Sequence, residues 1–233
     1  MKILLISDNE ENFLWENWSN ATADMLADVD LVLSAGDLNP LYLEFIVTML
    51  NVPLVYVRGN HDGYYDEKPP EGCEDADDKV VEVTCGKGDS LQKVRILGLG
   101  GSMRYKDDAG DMYTEEEMIR RIRKAERMIR KRRLAGAVKN TLIPAGKNGA
   151  EDTGADFDIL LTHAPCRGYG DMDDLPHRGF ECFNSLLNKY SPQLHCYGHV
   201  HHEYGMIKRQ IRHPSGTLLI NGSGHQIIDF GKP

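Results

Sequence analysis

Apolar residues in this chain fall into short, nearly continuous blocks bounded by Gly, Asp, Asn and Pro. Blocks of four to eight apolar and β-branched residues between turn formers read as buried strands. They predict strands near 2–7, 30–34, 53–57, 79–84, 93–98, 158–163, 194–197, 203–209, 216–221 and 225–230. A helical period fits 20–28, 40–50, 114–135 and 179–190 instead. Early strands alternate with helices, as a parallel α/β core requires, whereas the later strands are spaced closely enough for hairpins. No internal repeat or linker interrupts 1–233, which reads as a single domain. Residues 66–78, "DEKPPEGCEDADD", read as an exposed acidic loop, and 134–157 as a long flexible connection rich in Gly and Ala. Together 101–157 look like an insertion over one end of the sheet, a basic helix followed by a flexible loop.

Within 114–133, Met118, Ile122, Ala125 and Ile129 form one apolar stripe along an otherwise strongly charged helix. Residues 120–133 carry nine basic side chains and one acid. The whole chain has a net charge of −9, so the remainder is correspondingly more acidic. That balance argues against long nucleic acid as the main partner. The basic helix leaves nucleic acid, an anionic surface or a lid role open, beside the plainer reading that its charges answer the acidic body. Apolar runs fall well short of the roughly 18–20 residues that span a bilayer, so no membrane span is expected. The few apolar residues before Asp8 are too short for a signal peptide. Five cysteines without a CxxC fit a reducing compartment, and the sequence implies a cytoplasmic protein. Nothing in the sequence bears on oligomeric state.

The chemistry collects at strand ends. The first strand delivers Asp8 and Glu10, and "DLVLSAGDLNP" delivers Asp37. "PLVYVRGNHDG" delivers Asn60, His61 and Asp62; "DILLTHAP" delivers His163; "LHCYGHVHH" delivers His199 and His201. Each alone is an ordinary loop feature: Asp37 suits a turn or a helix cap, "HDG" suits a turn, and a lone histidine suits a hydrogen-bonded core. Jointly they are carboxylates, an amide and imidazoles, the donor types of divalent transition metals. Carboxyl ends of strands are also where open α/β sheets bind ligands, so distant segments can converge there.

The ordered series "SDNE…GDL…GNHD…THAP…GHVH" resembles the calcineurin-like metallophosphoesterase superfamily, and in particular its small bacterial or archaeal-type phosphodiesterase members. The resemblance implies a four-layer αββα sandwich with two divalent metal ions at the C-terminal strand edges. By position, Asp8, Glu10, Asp37 and His201 would hold one metal, and Asp37, Asn60, His163 and His199 the other. Asp37 would bridge them alongside a hydroxide. His61, oriented by Asp62, would face the leaving-group oxygen. Glu10 stands where the family has His. An anionic oxygen there hardens the site and favours Mn²⁺, with Mg²⁺, Fe, Zn²⁺ or Ni²⁺ also compatible.

The activity implied is hydrolysis of phosphate esters, diesters in preference to monoesters, on a small substrate. A metal-dependent nuclease and a non-catalytic scaffold of the same fold are the alternatives. Arg104, Arg167, His177 and Arg178 are candidates to contact a phosphate, against the alternative that they form surface ion pairs. Other phosphatase chemistries lack their residues. Six positions after the cysteines stand Lys79, Leu91, Met172, Asn188 and His202, so no C-x₅-R loop exists. There is likewise no GxxxxGK[ST] loop.

Overall fold

The computed structural model describes residues 1–88, 91–107, 110–142, 156–201 and 208–231, with side chains of the long third helix described as far as Leu134. In chain order the strands are β1 (Lys2–Ser7), β2 (Val29–Ser34), β3 (Leu54–Tyr56), β4 (Glu74–Asp75), β5 (Val80–Cys85), β6 (Gln92–Leu99) and β7 (Ser102–Met103). They continue as β8 (Met112–Tyr113), β9 (Ile159–Thr162), β10 (Leu194–Tyr197), β11 (Gln210–Arg212), β12 (Leu218–Asn221) and β13 (Gly224–Asp229). The α-helices are α1 (Asn20–Leu26), α2 (Pro40–Leu50), α3 (Glu115–Leu142) and α4 (Glu181–Tyr190).

Two sheets result, ordered β13-β1-β2-β3-β4 and β11-β12-β10-β9-β6-β5. In the first, β1 to β4 are parallel and β13 runs antiparallel beside β1. In the second, β12, β10, β9 and β6 are parallel, with antiparallel strands at both edges. The continuous apolar runs are explained by burial on both faces. Successive side chains of a strand point to opposite sides. Ile3 and Leu5 therefore face the second sheet, where they join Ile96, Ile159, Leu161 and Cys196 in the central core. Leu4 and Ile6 face the other way, onto Tyr42, Leu43 and Ile46 of α2 and Leu26 of α1. Outside the second sheet, Leu97, Leu99 and Leu160 pack on Met118, Ile122, Ala125 and Ile129 of α3 and on Phe183, Leu186 and Leu187 of α4. The order of layers is αββα, as expected.

Local signals set the helix ends. Asn39 caps α2 by accepting from the Leu41 N–H, Pro40 supplies a preset first turn, and Asn51 closes it in the left-handed region at φ 51°.

Two expectations need correction. Residues 66–78 are not simply an exposed loop: β4 pairs with β3, Ala76 is buried, and the Asp77 carboxylate turns inward to Arg121. A lone acidic string gives no hint of that distant partner. The helix expected at 114–135 continues to Leu142, into the segment expected to be a flexible connection; 143–155 lie outside the described residues. The strand expected at 203–209 falls mostly outside them too, and β11 begins at Gln210.

Candidate metal centre

All five strands that carry candidate residues end at the same rim, three from the first sheet and two from the second. Asp8 follows β1, Asp37 lies three residues beyond β2, and Asn60 follows β3; His163 and His199 follow β9 and β10. Asp37, His163 and His199 present one donor atom each within 4.8 Å of one another. His163 Nε2 lies 3.1 Å from His199 Nδ1, 3.1 Å from Asn60 Oδ1 and 3.3 Å from Asp37 Oδ2.

The orientation of both imidazoles is fixed from behind. His163 donates its Nδ1–H to the Ala35 carbonyl at 2.7 Å, and His199 donates its Nε2–H to the Pro176 carbonyl at 2.7 Å. Each ring therefore turns its other nitrogen into the cluster. Metal-binding histidines are held in this way, by an outer hydrogen bond that sets tautomer and ring angle. Asn60 is also buried, and its Nδ2 has no partner among the described residues.

Backbone geometry points the same way. Asp8, Asp37 and His199 all occupy the left-handed region, at φ 63°, 56° and 67°. For residues with a Cβ this costs on the order of 1–3 kcal/mol each and marks functional sites. A glycine precedes the ligand position on three of the loops, and each has a steric reason. A Cβ on Gly36 would sit 2.3 Å from Gly59 N, one on Gly59 2.0 Å from Asp37 Oδ1, and one on Gly198 1.9 Å from Ser7 Oγ. Gly36 and Gly59 let two loops of the first sheet close on each other, and Gly198 lets the second sheet approach the end of β1.

Electrostatics favour positive charge at the convergence point. Burial opposes a proton on His163, yet Asp37 and then Asp8 outweigh it and raise its pKa to about 9. Burial would raise Asp37, but the His163 charge and hydrogen bond and the His61 N–H hold its carboxyl well below the usual range. Burial lowers His199 to about 3, with His163 adding to the effect, so its ring is neutral. The Asp8 side chain is 1% exposed, and burial pushes its carboxyl upward. Both Asp8 oxygens accept from the His199 N–H at 3.0 Å, joining the first sheet to the second. This donor set of carboxylate, amide oxygen and neutral imidazole fits a divalent cation.

The remaining candidates lie at graded distances. His201 Nε2 is 4.0 Å from Asp8 Oδ1. Glu10 is exposed, and its Oε1 accepts from the Asn39 N–H at 3.0 Å. His61 is exposed beside the cluster, its backbone N–H donating to Asp37 Oδ1 at 2.8 Å. Asp62 is fully buried; its Oδ2 accepts from the N–H groups of Asp37 at 2.8 Å and Gly59 at 2.7 Å, and burial raises its pKa to about 6. It thus braces the two loops that carry Asp37 and Asn60.

Among the phosphate-contact candidates, His177 stands next to the cluster, its ring 5.5 Å from that of His199, and pairs with Asp174 at 2.6 Å. Arg104 is engaged by Glu117 and the Met112 carbonyl. Arg167 is held by Asp171, Asp173 and the Met172 carbonyl, and Arg178 donates to the Asp173 carbonyl. The carbonyls of Ala35 and Pro176 escaped sequence reasoning, because a backbone oxygen has no residue signature. The glycines before Asp37, Asn60 and His199 were the legible signal for the close packing.

The chain is thus a layered αββα sandwich whose strand ends gather carboxylate, amide and imidazole donors at one rim. The sequence profile of the calcineurin-like phosphoesterase family matches residues 1–203, and the chain belongs to that family. One curated relative, UPF0046 protein T07D4.2 of Caenorhabditis elegans, is 38% identical over 69 residues, which are 29% of this chain and 15% of that protein. The matched segment thus spans a small part of the relative's length. Among solved structures, TT1561 of Thermus thermophilus superposes with a TM-score of 0.54 at 13% identity, covering 96% of this chain and 89% of that one. A second crystal structure gives 0.58 at 14% identity, covering 98% and 94%. At such identities the likeness shows the fold. No helix among the described residues is long and apolar enough to cross a membrane.

Proposed function

We propose that the chain hydrolyses phosphate esters, diesters in preference to monoesters, with two divalent cations, Mn²⁺ in first place. Asp37, Asn60, His163 and His199 would hold one cation. Asp8, Glu10, Asp37 and His201 would hold the other, with Asp37 shared. Bound there, the cations would supply Lewis acidity and an activated water at neutral pH. The observation that carries this reading is the pair of buried imidazoles, each locked by a backbone carbonyl with its other nitrogen turned into the cluster with Asp37.

The chain's own groups divide the remaining work. His61, fixed at its backbone to Asp37, is exposed where an ester would approach and is the proton donor to the leaving oxygen. Asp62 acts at one remove, since its carboxylate holds the Asp37 and Gly59 amides rather than the substrate. His177, paired with Asp174, is the candidate phosphate contact beside His199. The ion pairs of Arg104, Arg167 and Arg178 make them weaker candidates.

The test is hydrolysis of bis-p-nitrophenyl phosphate and p-nitrophenyl phosphate by metal-stripped protein, with Mn²⁺, Mg²⁺, Zn²⁺ or Ni²⁺ restored and bound metal counted. Diester turnover with two Mn²⁺ per chain is expected. Two metals bound with no turnover of either ester, and no effect of His61→Ala, would replace this reading by a non-catalytic scaffold.

A further inference from the structure

The basic helix α3 carries more positive charge than the fold uses. Its apolar stripe, Met118, Ile122, Ala125 and Ile129, is buried against the second sheet. The cations flanking that stripe are consumed by the acidic body. Arg121, 11% exposed, bonds Asp77, Asp78 and the Gly100 carbonyl and lies 4.1 Å over the Tyr113 ring. Lys124 pairs with Asp78, Arg132 with Glu82 and Arg133 with Asp156. Glu126, the one acid within 120–133, is taken by Lys189 of α4.

What remains is a single outward row: Arg120, Arg123, Arg127, Arg130 and Lys131, all exposed. None forms an ion pair with a carboxylate among the described residues; Glu117 and Glu126 act on Arg120 and Arg130 only at longer range. Arg120/Arg123, Arg123/Arg127, Arg127/Arg130 and Arg127/Lys131 are three or four residues apart, so like charges face one another along the helix. Such pairs destabilise a helix by about 0.2–0.5 kcal/mol each. At a rise of about 1.5 Å per residue the row is on the order of 16 Å long.

We propose that this row docks the phosphate backbone of a nucleic acid, probed below with a single strand. Four of its five cations are arginines, whose planar fork matches phosphate oxygens in pairs. An anionic membrane is the poorer fit, because a helix lying in a bilayer interface needs apolar side chains on the face that enters it. Among the described side chains of α3 the only large apolar group exposed on that face is Leu134, past the end of the row, too little for such a helix, while Met118, Ile122, Ala125 and Ile129 are turned to the core. The proposal concerns binding and does not depend on which ester is cleaved, or on whether the metal centre is active.

The test is fluorescence anisotropy of a labelled 15-nucleotide single strand of mixed sequence with the full chain, from 50 to 300 mM salt. Vesicles containing phosphatidylserine are assayed in parallel. With five phosphate contacts, the slope of log affinity against log salt should be about −3.5, and affinity should fall about a hundredfold from 50 to 200 mM. Arg123→Ala/Arg127→Ala should lower affinity at 50 mM roughly tenfold or more and bring the slope to about −2, with the circular dichroism spectrum unchanged. Arg123→Lys/Arg127→Lys should retain the wild-type slope. Any one of three results overturns the proposal: no saturable binding at 50 mM; equal binding by the double alanine variant; or binding to vesicles, or to a second copy of the chain, without binding to the oligonucleotide.

Discussion

On one side of the candidate centre, His163 and His199 are buried, each locked by a carbonyl, with Asn60 beside them. On the other side Glu10 is exposed and bonded to the Asn39 amide, while His201 stands 4.0 Å from Asp8 and remains about one-third exposed. The first half is preorganised by elements that cannot move without unpacking a sheet. The second is built from side chains that reach in from loops. A binding group held in place costs less to engage than one that must be ordered on binding. Two metals should therefore bind with unequal affinity, the tighter one at the His163–His199 half.

That contrast is tested most severely by removing the preorganised half. His163→Ala should abolish the tight metal and reduce diester turnover by roughly 10³-fold or more, since Lewis-acid stabilisation is worth several kcal/mol. Calorimetric metal titration and steady-state rates check it; retention of a tight site would refute the assignment. Gly59→Ala should cost about 10²-fold in turnover, because its Cβ would sit 2.0 Å from Asp37 Oδ1 and displace the shared carboxylate.

Asp62→Ala removes the brace and leaves two amides unpaired. It should weaken metal affinity about 10–100-fold and cost roughly 1–3 kcal/mol of stability, read by titration and by urea unfolding. Glu10→Ala should touch only the open half. At micromolar Mn²⁺ the count should drop from two metals to one, with the tight site intact, and Glu10→His should restore the second. If Glu10→Ala still binds two metals, Glu10 stays on the Asn39 amide and is no ligand.

The smallest effect concerns the support beneath the locked half. Buried His195 donates Nε2–H to Thr162 Oγ1 at 2.8 Å, next to His163, and burial lowers its pKa from 6.5 to about 3. Between those values the unfolded chain binds the proton and the folded one does not, so stability rises with pH there. The full stability is present above about pH 6.5 and is lost as pH falls below it. His195→Gln should flatten this part of the profile, measured as urea midpoints at pH 5 and pH 7; an unchanged slope would show that other groups set it.

The row on α3 teaches the same lesson from another direction. In sequence the nine cations of 120–133 look alike, and the net charge of −9 argued against nucleic acid. Only packing separates Arg121, buried on Asp77, from Arg123 and Arg127, which meet no carboxylate among the described residues. The acids concerned lie more than 40 residues away in the chain, beyond the reach of any local pattern.

Resemblance to the calcineurin-like phosphoesterases implied the αββα layering; by itself the sequence determined the ligand-bearing strands, the stripe on α3 and the order of candidate ligands. Those are encoded locally, in periodicity and in the Gly-ligand pairs that follow the strands. Which nitrogen of His163 and His199 faces Asp37, that Asp62 braces rather than contacts, and that Arg104 and Arg167 are spent on Glu117 and Asp171 were decided by tertiary structure. The reason is physical: each depends on a hydrogen-bond partner from another segment, often a backbone carbonyl that every residue possesses. Periodicity reports which face a side chain takes, and only the assembled rim of two sheets reports what it meets there.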